Sequence, residues 1–292
     1  ASAQATGDAF AGAIGLGVGM GDLFHGGSGV SVAYVGNLVN SGDITVSAFA
    51  GSDNRAEAVS SSATTSGTYA DASGSANAYA AGIGANVAEL GSSFENSGNI
   101  GVEARAQSFN VAIASAPSSS VQATADANVD AGAYGIDIHA GSIAGGVFNS
   151  GAIDVSASSL AQNTATAQAG GGNAYAYVDA EASATATGIR VDTGYLDGSF
   201  VNAGIMPTFA SSSELAPGTI NVRAIAQLEN HAAASGTSLA NIPVADASAS
   251  GSASVEARGI SFYANAISGD FINEGAISAY ALAGMNNHAI AA

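Results

Sequence analysis

The sequence predicts an all-β fold, a parallel β-solenoid (β-helix) built from about five repeats of about 53–57 residues. Three observations predict it. A phrase with Asn two residues before Gly returns five times in 292 residues. Long stretches alternate small apolar residues with polar ones. Gly followed by a large apolar residue stands at a fixed distance before four of the phrases. Self-similarity at such a period marks stacked supersecondary units, each unable to bury its apolar face alone.

The phrases are Leu38-Val39-Asn40-Ser41-Gly42, Phe94-Glu95-Asn96-Ser97-Gly98, Val147-Phe148-Asn149-Ser150-Gly151, Phe200-Val201-Asn202-Ala203-Gly204 and Phe271-Ile272-Asn273-Glu274-Gly275. An isoleucine then opens an alternating strand: Ile44, Ile100, Ile153 and Ile277, with the fourth displaced to Ile220 by an insertion at 206–217. Phrase and strand together occupy 38–50, 94–106, 147–158, 200–226 and 271–283 of a single domain, 1–292. The Asn-to-Asn spacings are 56, 53, 53 and 71. From Ile83, Ile136, Ile189 and Ile260 to the next phrase is 11 positions each time, whereas Leu16 lies 22 before Leu38. The difference places an insertion within 20–30, and insertions confined to loops are what a solenoid tolerates.

Alanine favours helices, but its placement here does not. Residues 174–189 alternate at period two for most of their length, as do 76–80, 245–249 and the strands that follow the phrases. Period two puts one face inward and one outward. Gly punctuates these runs, and all four prolines (Pro117, Pro207, Pro217, Pro243) fall between them, as strand pairing requires. An inward face of alanine demands a narrow core, because packed interiors tolerate no voids. Larger residues recur at fixed repeat positions and predict ladders along the axis. One is Leu16, Ile83, Ile136, Ile189 and Ile260, and another is Leu38, Phe94, Val147, Phe200 and Phe271. A third is Asn40, Asn96, Asn149, Asn202 and Asn273, each amide bonding to the next repeat or to turn backbone. The period is expected to divide into two or three coils, giving a rod about 50–70 Å long.

All five basic residues are Arg, against 23 acids, for a formal charge of −18. That balance excludes binding to a nucleic-acid backbone. Charged residues are 10% of the chain, against about 25% in ordinary domains, so the surface is mostly Ser, Thr, Asn, Ala and Gly. With no Cys, disulfides, catalytic thiols and thiolate metal sites are excluded, while the compartment stays open. No run of 18 apolar residues occurs, so no transmembrane helix is expected. The start, Ala1-Ser2-Ala3-Gln4-Ala5, has no basic or apolar leader segment. It reads either as a mature end left by signal-peptide cleavage or as a boundary within a longer chain.

The pattern F-x-N-S-G-x-I-x-V-x-A-x-A, followed by alternating Ala/Ser and A-x-G-I, resembles the repeats of bacterial autotransporter passenger regions and related secreted β-helical adhesins. The likeness covers nearly the whole chain, and its motifs are solenoid-forming rather than function-specific. The resemblance implies export across the outer membrane and a role secreted, at the cell surface or in the extracellular matrix. No set of aromatic-girdled strands follows Ile277, so the chain is expected to be either a passenger fragment or a free secreted subunit.

No catalytic, cofactor-binding or metal site is expected. The nearest acidic groups are Asp126, Asp130 and Asp137 with His139, and Asp179, Glu181, Arg190 and Asp192. Paired carboxylates serve acid–base work on a glycan, yet these fall on outward or turn positions, where solvated carboxylates are the default. His25, His139, His231 and His288 sit at unrelated repeat positions without metal-ligand spacing. Asp does not recur at one repeat position, so divalent cations are expected to bind only weakly. Glycines 15, 17, 19 and 21 mark a tightly packed strand, not a phosphate loop, since no helix follows. Candidate partner contacts are the loops at 21–26, with Phe24, and 207–217, with Phe209 and Glu214.

Measured from the phrases, the chain begins and ends in mid-period. Tail joined to head gives about 30 residues between landmarks, against 35 in the second and third periods. Either the chain is a segment of a longer array, or copies pair head to tail by strand addition, a non-closing contact that generates filaments; the second is expected. The expected function is a non-enzymatic extracellular filament or surface shaft with itself as partner. The alternatives are a monomeric adhesin that binds a host or glycan surface and, third, a polysaccharide-acting enzyme.

Overall fold

The structure, a computed structural model, describes residues 1–18, 34–61, 67–203, 218–237 and 244–292. It is all-β with every strand parallel to its neighbours, a solenoid of five coils. Coil one is β1 (Ser2–Val18), β2 (Leu38–Asn40) and β3 (Ile44–Val59). Coil two is β4 (Thr68–Leu90), β5 (Phe94–Asn96) and β6 (Ile100–Ala116). Coil three is β7 (Val121–Ile143), β8 (Val147–Asn149) and β9 (Ile153–Ala169). Coil four is β10 (Ala174–Leu196), β11 (Phe200–Asn202) and β12 (Ile220–Gly236). In coil five the first strand is interrupted, giving β13 (Ala245–Ala249) and β14 (Ser252–Ile267) before β15 (Phe271–Asn273) and β16 (Ile277–Ala291).

Stacking these coils makes three parallel sheets. The first long sheet runs β1-β4-β7-β10, with β13 and β14 both on β10. The short sheet runs β2-β5-β8-β11-β15, and the second long sheet β3-β6-β9-β12-β16. Each period is thus one coil, not two or three. The reason is strand length: 23 residues in β4 and 17 in β6 use up the repeat in a single circuit. The body is correspondingly broad and short. At about 3.3 Å per residue the long strands span about 75 Å, while five layers about 4.8 Å apart rise only about 20 Å. The coil boundary also differs from the period boundary read off the phrases. Ser2 pairs with Tyr69, one residue into β4, so the described strands make five whole coils.

The two long sheets face each other, and alanine decides their separation. Along β4 the inward residues Ala70, Ala72, Ala76, Ala78 and Ala80 are all 4% exposed or less. Alanine on both facing sheets lets the backbones approach closely without voids. At Gly82 the pairing between coils skips one residue, as it does at Gly15, Gly135, Gly188 and Gly259. The inward phase then moves from even to odd residues: Ala80 points in before the skip, Ile83, Ala85 and Val87 after it. Only glycine fits this corner. A Cβ on Gly135 would lie 2.5 Å from the Gly188 carbonyl oxygen and against the side chains of Ile153 and Val155. The Gly-Ile landmark is therefore where the thin alanine slab opens into a wider prow.

The prow is filled by large side chains, which close-packed interiors need wherever backbones diverge. Ile83, Leu90, Phe94 and Ile100 are 0–1% exposed, as are Ile189, Leu196, Phe200 and Ile220. The register aligns Leu16, Ile83, Ile136, Ile189 and Ile260 in one column. Leu38, Phe94, Val147, Phe200 and Phe271 form another in the short sheet. Phe200 stacks on Phe271 at 4.7 Å between ring centroids and meets Phe262 edge-on at 5.5 Å. Replacing Phe200 by Ala is expected to destabilise the protein by about 3–5 kcal/mol; urea unfolding checks this, and an unchanged midpoint would contradict the buried column.

Candidate functional site: the stacking faces of the end coils

The phrase asparagines explain their own recurrence. Asn40 Nδ2 donates to the Gly42 carbonyl at 2.8 Å, and Asn96, Asn149 and Asn273 donate in the same way to Gly98, Gly151 and Gly275. From coils one to four the second hydrogen of each amide crosses to the next coil. Asn40 donates to Asn96 Oδ1, Asn96 to Asn149, Asn149 to Asn202 and Asn202 to Asn273, each at 2.7 Å. In coil four the turn carbonyl belongs to Gly218, 3.3 Å from Asn202 Nδ2. Gly218 thus stands where the sequence suggests Gly204, which lies outside the described residues. The inner rungs are buried, with Asn96 and Asn202 at 0% exposure, so an amide lost there strands its neighbours without solvent.

A second ladder was missed from sequence. Asn54 donates to Asn110, Asn110 to Asn163, Asn163 to Asn230 and Asn230 to Asn287, at 2.9–3.0 Å. It runs between the long sheets and crosses to the first: Asn110 Nδ2 reaches the Asp126 carbonyl and Asn230 Nδ2 the Ser250 carbonyl, both at 2.6 Å. Gly7 and Gly74 oppose Asn54, where a Cβ would strike its amide. This polar seam divides the interior into two apolar clusters. Its signal was present. An Asn stands 14 residues after the phrase Asn in four of the five repeats, hidden among other polar residues of an alternating strand.

Coil five leaves open what every inner coil covers. Phe271, Ile277 and Met285 are 51%, 42% and 59% exposed, while their coil-four partners Phe200, Ile220 and Leu228 are 0–1% exposed. The outer edges of β14, β15 and β16 pair with nothing among the described residues, and neither do those of β1, β2 and β3. Open edges of this kind are templates for further strand pairing. Ala292 bonds Ala234 and Gly236 at the end of β12, while Tyr69 bonds Ala1 at the start of β4.

The acidic candidates divide into two groups on the outer face of the first long sheet. Asp126 and Asp179 are direct neighbours in adjacent coils, so Asp does recur at one repeat position here. With Asp8 and Glu181 they line an open groove of ≈ 800 Å³. Burial raises the Asp126 carboxyl above its ordinary range, and the negative charges of Asp71 and Asp179 add to this. Asp137, His139, Arg190 and Asp192 come together in the second group. His139 Nε2 lies 3.1 Å from Asp137 and its Nδ1 3.7 Å from Asp192, and Arg190 Nε lies 3.8 Å from Asp137. Tyr79 donates its hydroxyl to Asp137 at 3.3 Å. Asp137 is 1% exposed, so a solvated carboxylate was the wrong expectation for it: the surrounding side chains cover it. Burial beside Asp137 also pushes the Tyr79 and Tyr134 hydroxyls up. Asp130 stands apart, lining a groove with Phe10, Tyr79 and Tyr134.

His231 and His288 share one column and stack at 5.3 Å, so their repeat positions are not unrelated. His25, Phe24, Phe209, Glu214 and the whole of both loops expected as partner contacts lie outside the described residues. Among the described residues there is no cluster of His, Asp or Glu suited to a metal ion, and no helix long and apolar enough to cross a membrane. No family model, curated protein or solved structure matches the chain.

The raised Asp126 carboxyl has a signed consequence. A carboxyl whose folded pKa exceeds its unfolded value opposes folding once pH rises through the unfolded value, about 3.9. Asp126→Asn is therefore expected to raise Tm at neutral pH, with the gain vanishing below about pH 3. Thermal melts across that range test it, and a gain that persists in acid would point to another cause.

Proposed function

We propose that this chain is a secreted, non-enzymatic structural protein that builds an extracellular filament or surface shaft by stacking coil five of one copy on coil one of the next. The observation that supports this is the constant register of the five coils, in which the columns of coil five repeat those of coil one. A second copy in that register sets Phe271 on Leu38, Ile277 on Ile44 and Ile260 on Leu16, the same columns that run through the inner coils. Burial of those side chains drives association, and heterologous contact without closure propagates it. The resemblance to autotransporter passenger repeats supports a place outside the cell. Electron microscopy and fibre diffraction test the reading. Filaments are expected to appear as protein concentration rises, with a meridional reflection near 4.8 Å and an axial rise per subunit of about 24 Å, five strand spacings. A monodisperse monomer at high concentration would overturn it.

A second reading, an adhesin for a neutral glycan, is favoured by one feature of the outer face. Phe10, Tyr79, Tyr134, Arg190 and Tyr263 descend one per coil, each two or three residues further along its strand. Grooves of ≈ 510 and ≈ 370 Å³ flank Tyr134, lined by these rings with Asp130, Asp192, Glu256 and Arg258. Ring faces beside carboxylates and guanidinium groups suit sugar rings and their hydroxyls. If that reading holds, retardation of the chain in gels containing neutral polysaccharide is lost in Tyr134→Ala; equal retardation of both proteins would dismiss it.

A further inference from the structure

Both asparagine ladders have a direction, and it is the same one. In all eight rungs Nδ2 of one coil donates to Oδ1 of the next coil, from coil one towards coil five. Parallel backbone pairing imposes no such order, because each strand donates and accepts on both sides. The amides cannot simply be turned over. Every phrase Asn holds its Nδ2 on a turn carbonyl, Gly42, Gly98, Gly151, Gly218 or Gly275. Reversal would set Oδ1 against that carbonyl oxygen, two acceptors without a proton between them. Asn110 and Asn230 are fixed likewise by the Asp126 and Ser250 carbonyls.

The ends of the ladders therefore differ in kind. Asn273 has spent one amide hydrogen on Gly275 and Asn287 receives from Asn230, so both turn a donor outward from coil five. Asn40 and Asn54 donate into coil two, and their Oδ1 atoms accept no rung. We infer that these four residues fix the polarity of assembly. A second copy is admitted with its coil one on coil five of the first, Asn273 and Asn287 donating to its Asn40 and Asn54. Coil five on coil five would press donor on donor, and coil one on coil one acceptor on acceptor, in an interface that excludes the water needed to satisfy them. The inference rests on the filament reading and names the residues that give it direction.

The ladders supply a selective test. In Asn273→Asp/Asn287→Asp the carboxylates still accept from Asn202 and Asn230, so the rungs into coil five remain, but the outward donors are gone and position 273 also gives up its bond to the Gly275 carbonyl. Coil one of the variant is untouched. The double variant is expected to form filaments at least tenfold less readily than wild type by light scattering. It is also expected to cap growing ends: wild-type seeds incubated with it and then extended with fluorescent wild-type protein should elongate from one end only. The single variant Asn287→Asp, which leaves Asn273 and its turn bond intact, should cap more weakly, and it provides the same readout if the double variant does not fold. Variants that elongate seeds as wild type does, or that leave both ends growing, would overturn the polarity. Failure of wild type to form filaments would instead remove the filament reading beneath it.

Discussion

Everything in this protein depends on keeping successive coils one strand spacing apart along continuous parallel ladders. That spacing is short, and it selects the residues. Where the two long sheets face each other, only alanine-sized side chains let the backbones approach, and Ala70, Ala72, Ala123, Ala125 and Ala176 accordingly have no more than 2% exposure. Where the coil turns into its prow, a side chain at Gly82 would meet the Gly135 carbonyl oxygen at 2.6 Å and so force two coils apart. The large residues follow from the same constraint, since the space behind the corner must be filled. Glycine at the corner and isoleucine after it are two halves of one packing solution.

A narrow alanine core has a weakness that the asparagine ladders answer. Flat sheets with uniform small side chains specify register poorly, because a slipped alignment buries nearly the same surface. An amide that bonds to its counterpart one coil away makes a slip costly, since buried polar groups without partners are penalised. The phrase ladder fixes the prow, and the ladder through Asn110, Asn163 and Asn230 fixes the middle of the slab. Register is therefore held at two points on each coil, 14 residues apart in all but coil four, which resists both sliding and skewing. The same bonds give the stack its direction.

The outer face follows different rules. Arg55 pairs with Glu57, Arg105 with Glu103 and Arg258 with Glu256, each two residues apart on one exposed strand face. Such exposed pairs contribute little to stability, and they offset few of the acids. The group around Asp137 is unlike them, because Tyr79, His139 and Arg190 come from three successive coils to enclose one carboxylate. Its effect is to tie coils two, three and four together on the side opposite the core.

The sequence by itself determined the strand class, the number of repeats and the residues stacked in columns, because period two, the Asn-x-Gly phrase and the Gly-Ile landmark are local patterns repeated in one order. It also contained the second asparagine ladder, as a 14-residue echo of the phrase that looked like ordinary strand polarity. What it did not determine was how far the chain travels before returning. One coil or three per period leaves the same alternation, and only the pairing of β4 with β7 across 53 residues turns an expected rod into a broad, short stack. Nor does alternation say which outward acid is covered: Asp137 and Asp192 hold comparable outward positions, but only Asp137 has side chains from the coils on both sides folded over it. Patterns along a chain record which face a residue takes. Distances between coils, and what lies across them, exist only once the coils are stacked.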